Sequence, residues 1–110
     1  MTQAIVEIVT FKLAANASEQ DLLNTHSGIA SFLQKQDGFI YRSLSKDESQ
    51  KQWIDIVYWQ DLDSAKAASD ALMQDPEGMK MVALCDMDSV VMKHLPVLSE
   101  VMSATCESAA

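Results

Sequence analysis

The sequence predicts a single α+β domain whose elements follow the order strand, helix, strand, strand, helix, strand. Two observations predict this order. Four segments are rich in β-branched, aromatic and other apolar residues over strand-like lengths, and two stretches repeat apolar residues at helical spacing. Neither a repeat nor a low-complexity linker divides the chain, so residues 1–110 are predicted to form one domain.

The first predicted strand covers residues 4–13, AIVEIVTFKL. Side chains alternate between the two faces of a strand, which places Glu7 and Phe11 on one face and Val6 and Ile8 on the other. Both faces are mostly apolar, so we expect this strand to be covered on both sides.

A helix is predicted next, over residues 18–36, because Ser18 precedes an acidic turn and can cap it. The helix carries one apolar stripe that should face the sheet. The members of the stripe are Leu22, His26, Ile29 and Leu33.

Residues 39–46 and 52–60 predict two strands joined by the polar segment 47–51, which is typical of a hairpin. Asp61 is expected to cap a helix over residues 62–73, and Asp75 followed by Pro76 to open a short helix that ends near residue 84. Residues 88–95 predict the last strand. The small residues Ala65 and Ala68 on the helix over 62–73 would leave space above a sheet.

This order of elements is that of the ferredoxin-like split βαβ arrangement, a four-stranded antiparallel sheet with its helices on one face. The opposite face of the sheet would be bare. Since the strands are apolar on both sides, that face is predicted to be an interface. We therefore expect a homodimer in which two sheets pack face to face.

Composition excludes several classes of function. The formal net charge of −8 argues against nucleic-acid binding and against an anionic membrane surface. Cys85 and Cys106 form no CxxC pair, and no apolar run approaches the length of about 20 residues that a membrane span needs. No basic leader is visible, so the expected compartment is the cytoplasm. Residues 103–110 are expected to form a frayed tail.

Four segments resemble the dimeric α+β barrel superfamily, which includes the antibiotic-biosynthesis-monooxygenase-like proteins. They are the opening strand AIVEIVTFKL, the strand start at Gly38 and Phe39, the strand WIDIVYW, and the run DLDSAKAA that follows it directly. The resemblance covers about residues 3–97. It implies a barrel-like homodimer that binds a small apolar or aromatic molecule between sheet and helices, with cofactor-independent oxygenation as one activity. A non-catalytic ligand-binding module and a purely structural dimer stay open, because this superfamily hosts many roles.

The haem-degrading members of the superfamily use an Asn in the first strand, a Trp in the second helix and an iron-binding His. The corresponding positions here fall near Glu7, Ala67 and Glu77, and none keeps the required type. An imidazole ligand is not easily replaced. We therefore predict that no haem binds through a histidine, and we expect no metal and no other cofactor.

Two carboxylates interrupt apolar strand faces and are the first catalytic candidates. Glu7 could serve as a base, since burial raises a carboxyl pKa. The alternative is a place at the sheet margin, or a pair with Lys or Arg from a neighbouring strand. Asp55 could orient a ligand or pair with Arg42 or Lys93 across the sheet.

His26 is the third catalytic candidate, because the apolar stripe should turn it toward the sheet; the alternative is a core histidine. We predict that Glu7 and His26 line a cavity between sheet and helices, and convergence of Asp55 on it would favour an enzyme. Five further side chains are candidates for ligand binding, with packing or a structural role as the alternative. They are Phe11, Tyr41, Trp53, Trp59 and His94.

Overall fold

A computed structural model describes residues 3–104 of the chain. Cys106 and most of the expected tail over residues 103–110 lie outside this range. The strands are β1 (Ile5–Leu13), β2 (Phe39–Asp47), β3 (Gln52–Trp59) and β4 (Cys85–Pro96). The helices are α1 (Glu19–Leu23), α2 (His26–Gln34), α3 (Leu62–Leu72) and α4 (Pro76–Val82). None of the helices described combines the length and the apolarity that crossing a membrane requires.

The four strands form one antiparallel sheet in the order β2-β3-β1-β4, which confirms the predicted ferredoxin-like fold. β1 lies in the interior of the sheet. There Glu7 pairs in register with Val57 of β3 on one side and with His94 of β4 on the other. β4 is an edge strand and begins at Cys85, earlier than the predicted start at residue 88.

The predicted first helix is in fact two short helices. Ser18 begins α1 with a capping box, in which its side chain accepts from the Asp21 N–H and the Asp21 carboxylate accepts in return. α1 ends at Leu23, and the Thr25 hydroxyl donates to the Leu22 carbonyl at 2.6 Å in the turn before α2. The turn interrupts the helical period. Leu22 stays buried, whereas His26 at the start of α2 is exposed.

The helix starts at Asp61 and Asp75 agree with the prediction. The Asp61 carboxylate accepts from the Ser64 N–H at 2.7 Å. The Asp75 carboxylate accepts from the N–H groups that open α4, and Pro76 stands at the first turn. These caps fix where α3 and α4 begin, and both helices then lie on the same face of the sheet as α2.

The buried side chains between sheet and helices form two clusters. The larger one joins the sheet to α2 and α3 and includes Ile5, Ile29, Phe32, Leu33, Val57, Trp59, Ala65 and Ala68. The smaller one consists of Phe11, Leu22 and Trp53. The other face of the sheet exposes large apolar side chains, among them Tyr41, Val91 and Leu95. That exposed face is the one that the sequence predicts to be an interface.

Candidate functional site

A cavity of about 350 Å³ lies between the inner face of the sheet and helices α2, α3 and α4. Its floor is formed by alternate residues of β1 and β3, because side chains of a strand share a face at every second position. Ala68 of α3 is buried above this floor and fills little of the space. The floor residues are Glu7, Val9, Phe11, Asp55, Val57 and Trp59.

Glu7 is held in this cavity by His94 of the neighbouring edge strand. The Oε1 atom of Glu7 lies 3.0 Å from the Nε2 atom of His94, and both side chains are largely buried. Burial raises the pKa of Glu7, while the hydrogen bond and charge of His94 oppose the rise and the charge of Asp55 adds to it. Glu7 is therefore a stronger base than an ordinary glutamate.

Asp55 is paired with Arg42 across the sheet, one of the two partners that the sequence allowed. Arg42 donates through Nε to Oδ1 at 2.9 Å and through Nη2 to Oδ2 at 2.7 Å. Such bidentate pairs are geometrically specific and strong. The pair explains why an aspartate is tolerated in the middle of β3, and both side chains are nearly buried.

Trp59 leaves a hydrogen-bond donor unused in the same cavity. Its side chain is 2% exposed. The Nε1 atom makes no well-formed hydrogen bond within residues 3–104. It faces the Glu7 carboxylate and lowers the pKa of Glu7, as the weakest of the influences on that group. An unsatisfied buried donor costs about 1–3 kcal/mol. A ligand oxygen placed beside Glu7 would satisfy it.

Cys85, at the start of β4, adds a thiol to the wall of the cavity. Burial, and after it the charge of Asp55, raises the pKa of this thiol from 9.0 to about 11. The Sγ atom donates to the Met81 carbonyl at 3.5 Å. The thiol is therefore protonated at neutral pH and is a poor nucleophile there.

Neither a protein-family model nor a curated protein sequence matches the chain. Solved structures do match its fold. SnoaB, a cofactor-independent oxygenase from Streptomyces nogalater, has a TM-score of 0.63 and 15% identity over 94% of this chain and 99% of that one. A haem-degrading protein from Mycobacterium tuberculosis has a TM-score of 0.62 and 14% identity over 94% and 100%. A dimeric ferredoxin-like protein of unknown function from Jannaschia sp. CCS1 has a TM-score of 0.64 and 15% identity over 86% and 99%.

The chain has the ferredoxin-like fold of these proteins. The predicted resemblance is therefore confirmed at the level of the fold. At identities this low the likeness carries no activity, because one fold hosts unrelated functions.

Four of the predicted site residues lie at the cavity. Glu7, Asp55, Phe11 and Trp59 line it directly. His94 reaches it through its hydrogen bond to Glu7. The two carboxylates thus meet in one cavity, and each has a basic partner from an adjacent strand.

The three other predicted site residues lie away from the cavity. His26 is exposed beside a separate depression of about 240 Å³, because the turn between α1 and α2 changes the helical phase. Tyr41 lies on the outer face of the sheet, with its ring centroid 6.4 Å from that of Tyr58, because the register of β2 shifts between Phe39 and Tyr41. Trp53 is buried at the far end of β3, in the smaller cluster.

Sequence reasoning missed several residues of the cavity wall. Met81 comes from α4, and its Sδ atom lies 3.8 Å from Arg42 Nη2. Cys85 comes from the part of β4 that precedes its predicted start. The strand was predicted to begin only at residue 88, because Asp86 and Asp88 are polar residues that strands disfavour. Cys85 was therefore not placed in the sheet. In the described part of the chain, no three His, Cys, Asp or Glu side chains are grouped as metal ligands.

Proposed function

We propose that the protein binds a flat aromatic molecule with an acidic C–H or O–H group in the cavity, and that Glu7 removes that proton so that O₂ can oxidise the resulting anion. The observation that carries the proposal is the cavity itself: a mostly apolar space of about 350 Å³ that contains a buried, paired carboxylate and an unused N–H donor. Small-molecule sites combine these features, an apolar lining and a few convergent polar groups.

The polar groups fit a proton transfer. Glu7, whose pKa is raised by burial, is better suited to accept a proton than an ordinary glutamate, and His94 holds the carboxylate in place. The Trp59 N–H can donate to the oxygen on which negative charge develops. The charge of Asp55 is balanced by Arg42, so Asp55 should repel such an anion only weakly.

Oxygenation needs no cofactor when the substrate is an anthrone, an electron-rich polycyclic ketone, because the substrate itself supplies the electrons that reduce O₂. Loss of a proton from its methylene carbon leaves a carbanion, which O₂ oxidises with formation of a C–O bond. The hydroperoxide formed on reprotonation loses one molecule of water and gives the quinone. The fold shared with SnoaB, described as a cofactor-independent oxygenase, supports this reaction class for the present chain.

The test uses anthrone as the probe. Its binding is followed by quenching of tryptophan fluorescence, because Trp59 lines the cavity, and its turnover by O₂ uptake and the absorbance of anthraquinone. We expect Glu7→Gln to bind anthrone with little change and to lower kcat by at least about 100-fold. Glu48→Gln, a matched change at an exposed position of the hairpin loop, should leave both unchanged. Turnover that survives in Glu7→Gln would contradict the assigned role of Glu7.

A second candidate is a binding module without chemistry, which uses the same cavity. Its signature would be anthrone binding with no O₂ uptake above the rate in buffer. A purely structural dimer requires a filled core, and the cavity disfavours that alternative. Absence of binding to any apolar aromatic probe would contradict both the enzyme and the binding module.

The homodimer belongs to the proposal as well. It is supported by the exposed apolar side chains of the outer sheet face and by the similar structure described as a dimeric ferredoxin-like protein. Sedimentation equilibrium at micromolar concentration should give twice the 12.1 kDa of one chain. A species of 12.1 kDa at all concentrations would contradict it.

A further inference from the structure

Five side chains that contain sulfur line the cavity. Cys85 and Met81 stand in its wall, whereas Met73, Met87 and Met92 are 49%, 58% and 48% exposed. A cavity residue that is about half exposed lies where the cavity opens to solvent. These three methionines, here called the methionine rim, therefore mark a mouth between the end of α3 and β4.

The methionine rim differs from methionine packed in a core. A core methionine uses its flexible side chain to fill irregular space between its neighbours. The rim methionines instead leave about half of their surface open beside a mostly apolar cavity. A molecule that enters or leaves the cavity passes them, so the rim brings oxidisable sulfur next to whatever the cavity binds.

The sulfur atoms of the cavity differ in their readiness to react with a peroxide. Burial, and after it the charge of Asp55, raises the pKa of the Cys85 thiol to about 11, so at neutral pH it stays protonated and reacts slowly. The Sδ atom of Met81 lies 3.8 Å from Arg42 Nη2 and accepts from it, which makes its lone pair less available. A free thioether has no proton to lose and is nucleophilic at any pH. The methionine rim is therefore the most reactive sulfur of the cavity.

We propose that the methionine rim takes up oxygen from an apolar hydroperoxide bound in the cavity, and that the sulfoxides formed weaken the binding of apolar molecules there. The sulfur lone pair attacks the terminal peroxide oxygen and the O–O bond breaks. The proton on that oxygen passes to the leaving alkoxide, so thioether and ROOH give sulfoxide and ROH. Sulfur loses the two electrons that the peroxide gains.

The sulfoxides change the polarity of the mouth. Oxidation converts a flexible apolar side chain into a polar one. An apolar molecule that covers a sulfoxide strips it of water, which costs free energy. The inference rests on the apolar ligand cavity of the proposed function, whose hydroperoxide intermediate is one source of the oxidant. It does not depend on the role of Glu7.

Two oxidants of different polarity test whether the cavity delivers the oxygen. The protein is treated with a limiting amount of cumene hydroperoxide, which is apolar and aromatic, or of hydrogen peroxide, and peptide mass spectrometry measures the sulfoxide at each methionine. Met79 is the internal reference, because it is 41% exposed on α4 and does not line the cavity. We expect the oxidation of the rim relative to Met79 to be at least about fivefold greater with cumene hydroperoxide than with hydrogen peroxide. An equal ratio with both oxidants would overturn the proposal.

Binding of anthracene, a neutral apolar probe, measures the effect of the sulfoxides. Once the rim is oxidised, we expect the affinity to fall about tenfold, and treatment with methionine sulfoxide reductases should restore it. The variant Met73→Leu with Met87→Leu and Met92→Leu keeps the volume and polarity of the rim, so it should fold and keep its affinity after peroxide treatment. Met79→Leu is the matched control and should lose affinity as the unmodified protein does.

Failure of this inference can be told from failure of the proposed function. An affinity for anthracene that oxidation of the rim leaves unchanged, or that falls equally in the variant with three substitutions, would overturn the inference and leave the proposed function standing. Absence of anthracene binding in the untreated protein would instead count against the proposed function, and the ratio of rim to Met79 oxidation with the two oxidants would still decide this inference.

Discussion

Two charge pairs stand on the inner face of the same sheet, and they differ in how they are held. Arg42 and Asp55 make two parallel hydrogen bonds of 2.9 and 2.7 Å, and the guanidinium keeps its charge at any pH in the working range. Glu7 and His94 share one contact of 3.0 Å, and burial raises the pKa of the Glu7 carboxyl above its ordinary value. The first pair is therefore fixed, and the second is able to exchange a proton.

This difference predicts that one pair contributes mainly to the stability of the fold and the other mainly to the chemistry in the cavity. A bidentate pair between β2 and β3 joins two strands and occupies both carboxylate oxygens of Asp55 with hydrogen bonds from Arg42. Glu7 lines the cavity, and its contact with His94 is made through Oε1. We expect variants of the first pair to change mainly the free energy of unfolding, and variants of the second pair to change mainly catalysis and pH dependence.

The largest effect should come from breaking the fixed pair. Asp55→Ala would leave the Arg42 guanidinium nearly buried and without a carboxylate, and removing one partner of a buried pair costs about 3–5 kcal/mol. Urea denaturation followed by tryptophan fluorescence measures this loss. Glu7→Gln leaves no buried guanidinium without a partner, so its free energy of unfolding should fall clearly less.

A double variant separates charge from packing at this site. Arg42→Met combined with Asp55→Leu removes both charges and keeps apolar volume, so its free energy of unfolding should recover most of the loss seen in Asp55→Ala. If the double variant is as unstable as the single one, the hydrogen-bond geometry matters more than the uncompensated charge. If Glu7→Gln costs as much as Asp55→Ala, the contrast between the two pairs is wrong.

The fold could be predicted because its determinants are local. Side chains alternate between the two faces along β1 and β3, Asp61 and Asp75 cap their helices, and the elements follow one another in the ferredoxin-like order. Each of these signals constrains one level of structure, and they agree with one another. Glu7 and Asp55 could be singled out for a similar reason, since a carboxylate inside an apolar strand needs a compensating partner.

The partners of these carboxylates depend on register, which the sequence alone left open. Glu7 meets His94 because β4 pairs beside β1 with these two residues opposite each other. A shift of one residue would have placed Lys93 or Leu95 there and turned His94 to the other face. The prediction that His26 faces the sheet was wrong for a local reason. The two-residue turn after Leu23 rotates the following helix relative to α1.

The thiol of Cys85 provides a smaller effect that reports on the fixed pair. With its pKa raised from 9.0 to about 11, the thiolate fraction at neutral pH is about 100-fold below that of an unperturbed thiol. Because the intrinsic reactivity of a thiolate rises with its pKa, the net rate with a disulfide reagent should be about tenfold lower. The measurement is made on Cys106→Ser, so that Cys85 alone reacts. Asp55→Asn removes a charge that raises the pKa of Cys85 and should speed the reaction; an unchanged rate would contradict the electrostatic influence of Asp55 on the thiol.

The smallest effect should be the pH dependence that Glu7 adds to stability. Burial raises the pKa of Glu7 in the folded chain above its value in the unfolded chain, so between these two values the folded state binds more protons. The stabilising contribution is thus fully present below the unfolded pKa and is lost as pH rises through the folded one. The free energy of unfolding of the unmodified protein minus that of Glu7→Gln should accordingly fall as pH rises through the folded pKa of Glu7, and then level off.

Removing His94 sharpens this last test. The hydrogen bond and charge of His94 lower the pKa of Glu7, so in a His94→Asn background the carboxyl pKa should rise further. The fall in stability that Glu7 causes, measured as His94→Asn against the double variant Glu7→Gln with His94→Asn, should then become larger and extend to higher pH. Lys93→Gln, a change at the exposed neighbouring position of β4, is the control and should leave the original curve unchanged. A difference curve that rises with pH in either background would mean that hydrogen-bond and charge partners, and not burial, determine the pKa of Glu7, and the contrast with the Arg42–Asp55 pair would be lost.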